Sequence, residues 1–456
     1  MPPSESTLRS AAPAPPSREV DRPVEASFVL TGATLVELHP VRVRNADVIV
    51  SGQHISQVGG DIPHGLPEVD VSGCVLTPAF AVAHTHLYMS LTCGMPRPRS
   101  APRTLTDMLE RVWWAIDKAL DDELVHVCAL VGAAMAAKTG AACILDHHSS
   151  PRFIDGSLDR IEAALDQIGL RGVLCYETSD RDGRGRRDAG VRENRRFLDK
   201  ARAGKTKHRG MVGAHAMMTL NDDTLDALRE LADAQGVGIH MHVAEDLTDH
   251  LDAERVRKTR LDNRLERVGI ARKGSVVAHA VQLPTELATR IMSAGAFVVT
   301  NPRANMSSGV GLCGLDGEQV ALGCDGGDND VLAEARAYYL RHAEARDGLA
   351  REAASRLVAG QELVAELFDD PLPPRIAEGA RADLTVLDYA PMTPMTTANV
   401  LDHVALGWTS AHVRDTLVGG QFVLRNRKLT NVDEHELAAR ARTAAARLWE
   451  RLEEPA

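Results

Sequence analysis

Residues 76–86 read Leu76-Thr-Pro-Ala-Phe-Ala-Val-Ala-His84-Thr-His86. A short apolar run leaves a proline and ends in two histidines separated by one residue. Side chains at i and i+2 of a strand point to the same face, so both imidazoles meet at one point at the strand's end. Two neutral imidazoles converging there make half of a metal site. Such a pair alone decides little, because paired histidines also arise as buried structural groups. Three later segments end in the same chemistry: His240-Met-His242-Val-Ala-Glu245, Ser275-Val-Val-Ala-His279 and Val320-Ala-Leu-Gly-Cys-Asp325-Gly-Gly.

Working outward, apolar strands alternate with amphipathic helices from Thr77 onward, the mark of βα units on a parallel sheet. Eight strand candidates fall at 75–83, 141–146, 170–177, 210–214, 237–243, 275–278, 296–300 and 320–324. Helical stretches are expected at 104–138 (as two helices), 157–168, 191–203, 222–235, 247–268 and 284–294, with no convincing helix between the seventh and eighth strands. Eight units of this size predict an α/β fold, a (β/α)8 TIM-like barrel over 78–371. In a closed barrel the C-terminal ends of all strands surround one mouth, so four imidazoles and two carboxylates from four strands converge there.

The flanks read differently. Residues 27–77 hold short β-like runs broken by Gly, Asn and Pro. The same chemistry returns over 372–432, where Gly419-Gly420 signals a hairpin. Together they predict a small discontinuous β-sandwich domain into which the barrel is inserted. A helix over 433–456 closes the chain. Residues 1–26, rich in Pro, Ser and Ala without an apolar core, read as a disordered tail rather than a signal peptide.

Composition narrows the class. A chain of 456 residues that is 44% hydrophobic can bury a large core, and its net charge of −11 disfavours nucleic acid and anionic membranes as partners. No apolar run approaches the roughly 18 residues of a membrane span. The seven cysteines are scattered and form no C-x-x-C, which fits a reducing, cytoplasmic setting.

Three histidines and an aspartate leave one divalent ion with an open position. Zn²⁺ fits this donor set best, and Fe²⁺ or Mn²⁺ also match it. Such an ion brings the pKa of bound water from about 15.7 to about 7. Hydrolysis at an sp² carbon then needs a carboxylate to accept the water proton and an acid to protonate the substrate nitrogen.

These residues resemble the amidohydrolase superfamily, specifically its aminohydrolase and chlorohydrolase (cytosine deaminase-like) branch. The motifs are Pro78-Ala-Phe-Ala-Val-Ala-His84-Thr-His86, His242-Val-Ala-Glu245, Val277-Ala-His279, Asn301-Pro-Arg-Ala-Asn305, Leu322-Gly-Cys-Asp325 and Gly379-Ala-Arg-Ala-Asp383. Within the branch the chain is most similar to SsnA-type aminohydrolases, through Leu109-Glu-Arg-Val-Trp113-Trp114, Leu145-Asp146-His147-His148 and Val212-Gly-Ala-His215. The resemblance implies that His84, His86, His242 and Asp325 bind the metal. It further implies that Glu245 shuttles a proton to the nitrogen, that Asp325 receives the water proton, and that His279 orients the water. On spacing alone His240 rivals His242; the family's three-residue step to Glu245 favours His242. Relatives commonly form dimers or larger, implying a homo-oligomer. Two departures stand out: Pro78-Ala79 replaces the usual Pro-Gly, and 305–319 is short for the family.

Trp113 is expected to stack on a flat substrate, with His148 and His215 as further substrate contacts. Gly309-Val-Gly311-Leu-Cys-Gly314 matches a dinucleotide fingerprint in letters but not in context. Asp328-Asn-Asp330 reads as a helix cap, and 181–187 as a solvated basic loop. The function expected is a metal-dependent deaminase that releases ammonia from an amidine-like C–N bond of a small N-heterocycle or guanidine-type compound. One rival is the same site opening a cyclic amide or breaking a C–Cl or C–S bond. The other is an inactive barrel that serves as a binding module.

Overall fold

The computed structural model describes residues 27–345 and 349–453; the expected disordered tail at 1–26 lies outside them. Phe80–Thr85, Ala141–His148 and Arg171–Tyr176 pair in parallel series. Val212–Ala216, Ile239–Val243, Val276–His279, Phe297–Thr300 and Val320–Leu322 form the second series. Two seams close them into a barrel: Thr85 bridges Asp325, and Thr178 bridges Ala214. Every position of these eight strands is buried. Such strands read as continuous apolar runs rather than alternating ones.

Aliphatic residues fill the barrel, among them Ala81, Ala83, Leu145, Val173, Val276 and Val299. Leu363 and Val364 of the helix Ala350–Leu367 pack into the same cluster. From that helix Gln361 donates to the Pro78 and Ala79 carbonyls at 3.1 and 2.9 Å.

The flanks meet as expected. A seven-stranded sheet interleaves Thr34–Leu38, Val41–Asn45 and Val75–Pro78 with Leu384–Leu387, Val413–Val418, Gln421–Arg425 and Lys428–Leu429. A four-stranded sheet holds Ser27–Thr31, Val48–Ser51, His54–Val58 and Glu68–Asp70. Leu30, Val50, Leu76, Leu384 and Leu417 share the core of this sandwich. Gly419 and Gly420, at φ 52° and 72°, make the two-residue hairpin turn. The helix Glu434–Glu453 packs on the barrel, with Trp449 Nε1 donating to the Leu91 carbonyl at 3.0 Å.

Four expectations need correction. The first strand is two: Val75–Pro78 belongs to the sandwich and only Phe80–Thr85 to the barrel, because Ala79 turns its N–H to Asp383 instead of a barrel neighbour. The stretch 247–268 is interrupted at Lys258, whose φ of 54° no helix continues through. A short helix, Pro302–Ser308, does join strands seven and eight, with proline at its start and left-handed Gly309 at its end. Residues 181–187 are not a solvated loop. The helix begins at Arg184, while Arg181 is nine-tenths buried against Asp117.

Candidate active site

The mouth gathers its polar groups from strand ends. His84 and His86 leave the first strand, His242 ends the fifth, and Asp325 follows the eighth. One ligand atom from each lies within 4.8 Å of all the others. His86 Nε2 stands 3.1 Å from His242 Nε2 and 3.2 Å from Asp325 Oδ1, and His84 Nε2 stands 3.4 Å from Asp325 Oδ1.

Behind each ring a hydrogen bond fixes its face. His86 Nδ1–H donates to the His147 carbonyl at 2.6 Å, and His242 Nδ1–H to the His215 carbonyl at 3.0 Å. His84 Nδ1 meets His240 Nε2 at 2.7 Å. With the proton on Nδ1 in each ring, three bare Nε2 lone pairs face Asp325. That is the donor chemistry a divalent ion with N/O ligands requires. His240 lies behind this cluster, grouped instead with His84 and His147, and it is His242 that the fold brings beside Asp325.

Burial and charge set the protonation. Burial alone would raise Asp325, but the surrounding imidazoles of His84, His86 and His279 hold its carboxyl well below the usual range. Burial drives His84 down to about 3, against the pull of Asp325. Burial pushes Glu245 up to about 7, opposed by His279.

His279 and Asp325 take left-handed backbone conformations, φ 70° and 56°. Such residues cost of order 1–3 kcal/mol each and persist where the surroundings hold them. Here the turn off the strand aims both side chains at the cluster. His279 Nδ1–H donates to Asn305 Oδ1 at 2.8 Å, leaving Nε2 toward Asp325 at 3.8 Å. Glu245 Oε1 lies 3.9 Å from the same imidazole.

The cavity above the cluster is lined by Trp113, Trp114, His215 and Tyr88, together with Glu245, His279 and Asp325. Trp113 approaches His86 at 5.2 Å between ring centres. His148 is not in the lining; its Nε2 is bonded to Ser150 Oγ at 2.9 Å, behind the wall. Glu177 carries no motif in the sequence, yet it follows the third strand just as the other site residues follow theirs. Its carboxyl lines the cavity, and burial pushes it up to about 8, with His86 and Arg181 opposing.

A family model described as the amidohydrolase family matches residues 75–358, more than half of the chain. The chain belongs to the amidohydrolase family. Among its relatives is a 5'-deoxyadenosine deaminase of Methanobrevibacter smithii, 27% identical over 88% of this chain and 94% of that protein. Another is a 5-methylthioadenosine/S-adenosylhomocysteine deaminase of Pelotomaculum thermopropionicum, 28% identical over 93% of this chain and all of that protein. A zinc-bound adenosine deaminase structure from Xanthomonas campestris superposes with a TM-score of 0.79 at 23% identity, covering 93% of this chain and 99% of that one. The zinc complex of an Arthrobacter aurescens atrazine chlorohydrolase gives 0.75 at 19%, covering 92% and 100%; at such identities the likeness is one of fold. This amidohydrolase is an enzyme with a His/Asp metal-binding site, a hydrolase acting on carbon–nitrogen bonds other than peptide bonds.

Proposed function

We propose that this amidohydrolase is a metal-dependent aminohydrolase that replaces an amine on an amidine-like carbon with oxygen and releases ammonia. Its substrate is a small N-heterocycle or guanidine-type compound. The observation that carries the reading is the convergence of three Nε2 lone pairs on Asp325, with Glu245 and His279 beside them. The relatives that deaminate adenosine-type compounds support it, as does the motif likeness to SsnA-type aminohydrolases. One divalent ion held by His84, His86, His242 and Asp325, with zinc the best match, supplies Lewis acidity and lowers the pKa of water to about 7.

The chain's own groups do the rest. Trp113 and Trp114 offer flat apolar surface to a planar ring. His279, its Nδ1–H fixed by Asn305, orients the attacking water through Nε2. As water adds to the C=N carbon, its proton passes to Asp325. Glu245 protonates the nitrogen, the proton held by Asp325 passes to the departing amine, the hydroxyl proton returns to Glu245, and the C–N bond breaks as ammonia leaves and C=O forms.

Metal analysis coupled to an ammonia-release screen over aminated heterocycles and guanidines tests the reading. His242→Ala and Asp325→Ala are expected to lose both metal and turnover. Glu245→Gln should keep the metal and lose about 10²–10⁴-fold in rate; full activity in that variant would overturn the assignment. Release of chloride or ring-opened product instead of ammonia would favour the other bond types this fold handles.

A further inference from the structure

The reaction above leaves Glu177 without a task. Its Oε1 lies 3.1 Å from His215 Nε2. Thr219 Oγ donates to the Ala216 carbonyl, so it accepts from His215 Nδ1–H at 2.8 Å. In the neutral ring Nε2 then carries no proton, and the contact with Oε1 needs one proton between the two groups. Oε2 is left as an acceptor without a hydrogen-bond partner. The nearest nitrogens do not serve it. His86 Nδ1, at 3.6 Å, is given to the His147 carbonyl, and His147 Nδ1 is 3.8 Å away. A buried acceptor without a donor is costly, and an N–H on a bound molecule would supply one.

The charge of the cavity points the same way. Glu177, Glu245, Asp246, Asp249 and Asp325 stand in its wall, and among the described residues no lysine or arginine does. Asp249 is engaged by the Met218 and Ala244 N–H groups. Arg181, four residues past Glu177, is held by Asp117 and Ser149 and lies over Trp114 at 5.1 Å. With Glu177 and His215 sharing one proton and Glu245 protonated, Asp246, Asp249 and Asp325 still outnumber the two charges of a divalent ion, so the wall attracts a cation and repels an anion.

We propose that Glu177, anchored through His215 to Thr219, is a specificity residue that accepts an N–H from a planar amidinium- or guanidinium-type substrate. Positively charged amidines are then preferred over neutral or anionic molecules of the same shape. This rests on the amidine-hydrolase reading of the site but is tested by binding rather than turnover. The zinc-loaded full chain is titrated with benzamidine, benzamide and benzoate, followed by tryptophan fluorescence, with zinc content measured in every sample. Benzamidine is expected to bind about tenfold or more tighter than benzamide, with benzoate weakest. Glu177→Gln should weaken benzamidine about ten- to hundredfold with zinc unchanged, the loss typical of a hydrogen bond to a charged group. Glu177→Asp, which keeps the carboxyl group, should retain the preference for benzamidine.

Equal binding of the three probes, or unchanged benzamidine affinity in Glu177→Gln, overturns the proposal. So does a loss of zinc that tracks the loss of affinity, since Glu177 would then serve His86 and not the substrate. Absence of ammonia release alongside an intact benzamidine preference would sink the hydrolysis reading alone.

Discussion

The histidines that face the metal site depend on residues that never touch it. His84 presents Nε2 forward only while Nδ1 keeps its proton, and the 2.7 Å contact with His240 Nε2 holds that proton in place. Losing such a partner typically costs 10–100-fold in metal affinity. His240→Leu should therefore raise the zinc dissociation constant by about that factor, and His240→Gln, which keeps a polar atom near the same place, by less. Competition with a chromophoric chelator reads both, and equal affinity in all three proteins would remove His240 from the site. His84, His86, His242, His279 and Asp325 were legible in the sequence because each follows an apolar strand and carries unmistakable ligand chemistry. Glu177 obeys the same rule but stands alone, with no motif to mark it. His148 shows the opposite failure: a histidine at a strand end whose ring turns back to Ser150. The turn of one side chain is decided by packing that a linear pattern does not hold.

At the scale of elements, the site exists because the eighth strand meets the first without side chains between them. Cys324 and Asp325 both donate backbone N–H to the His84 carbonyl, at 2.8 and 3.2 Å. Gly323 permits the approach. A Cβ there would stand 2.3 Å from Asn301 Oδ1 and 2.8 Å from both the Cβ and the carbonyl oxygen of His84. Gly323→Ala must push the strands apart, and overpacking of this kind costs about 1–3 kcal/mol. We expect a lower melting temperature together with reduced zinc content. Gly185→Ala is the control: it sits in the exposed first turn of a helix with nothing within 4 Å, so helix propensity should leave it neutral or stabilising by up to about 1 kcal/mol. A Gly323→Ala protein as stable and as zinc-replete as Gly185→Ala would refute the close-approach argument. The barrel strands were readable because burial on both faces writes unbroken apolar runs. The start of the first barrel strand and the helix ends were not, since Ala79 breaks a strand, and Lys258 and Gly309 break helices, through backbone geometry rather than hydrophobicity.

Across the whole molecule, sandwich and barrel share one piece of backbone, Val75–Pro78 running through Ala79 into Phe80–Thr85. The joint is locked by charge. Arg171, at the start of the third barrel strand, donates to Asp383 at 2.8 Å and Asp370 at 2.7 Å, and its guanidinium lies 3.8 Å over the Phe368 ring. Asp383 in turn accepts from the Gly419 N–H in the sandwich hairpin at 2.6 Å. This explains structurally the Gly379-Ala-Arg-Ala-Asp383 motif, whose carboxylate stands far along the chain from any proposed ligand. The Arg171 side chain is only 7% exposed and its partners 15–18%, so its removal leaves Asp370 without its cation and Asp383 with Arg381, 3.2 Å away, in a poorly solvated joint. Arg171→Leu should cost about 3–5 kcal/mol, the range for breaking a buried pair from one side. Adding Asp370→Asn should recover part of that, because the carboxylate left without a cation disappears. The lock sits at the start of a strand whose other end opens on the mouth, so zinc content in the folded variant should stay at the wild-type level. Thermal unfolding followed by far-ultraviolet circular dichroism and by tryptophan fluorescence decides the matter. Coincident transitions that shift down together in Arg171→Leu are expected if the two layers melt as one unit. An early transition confined to the sandwich, with the barrel unshifted, would show that the joint couples nothing.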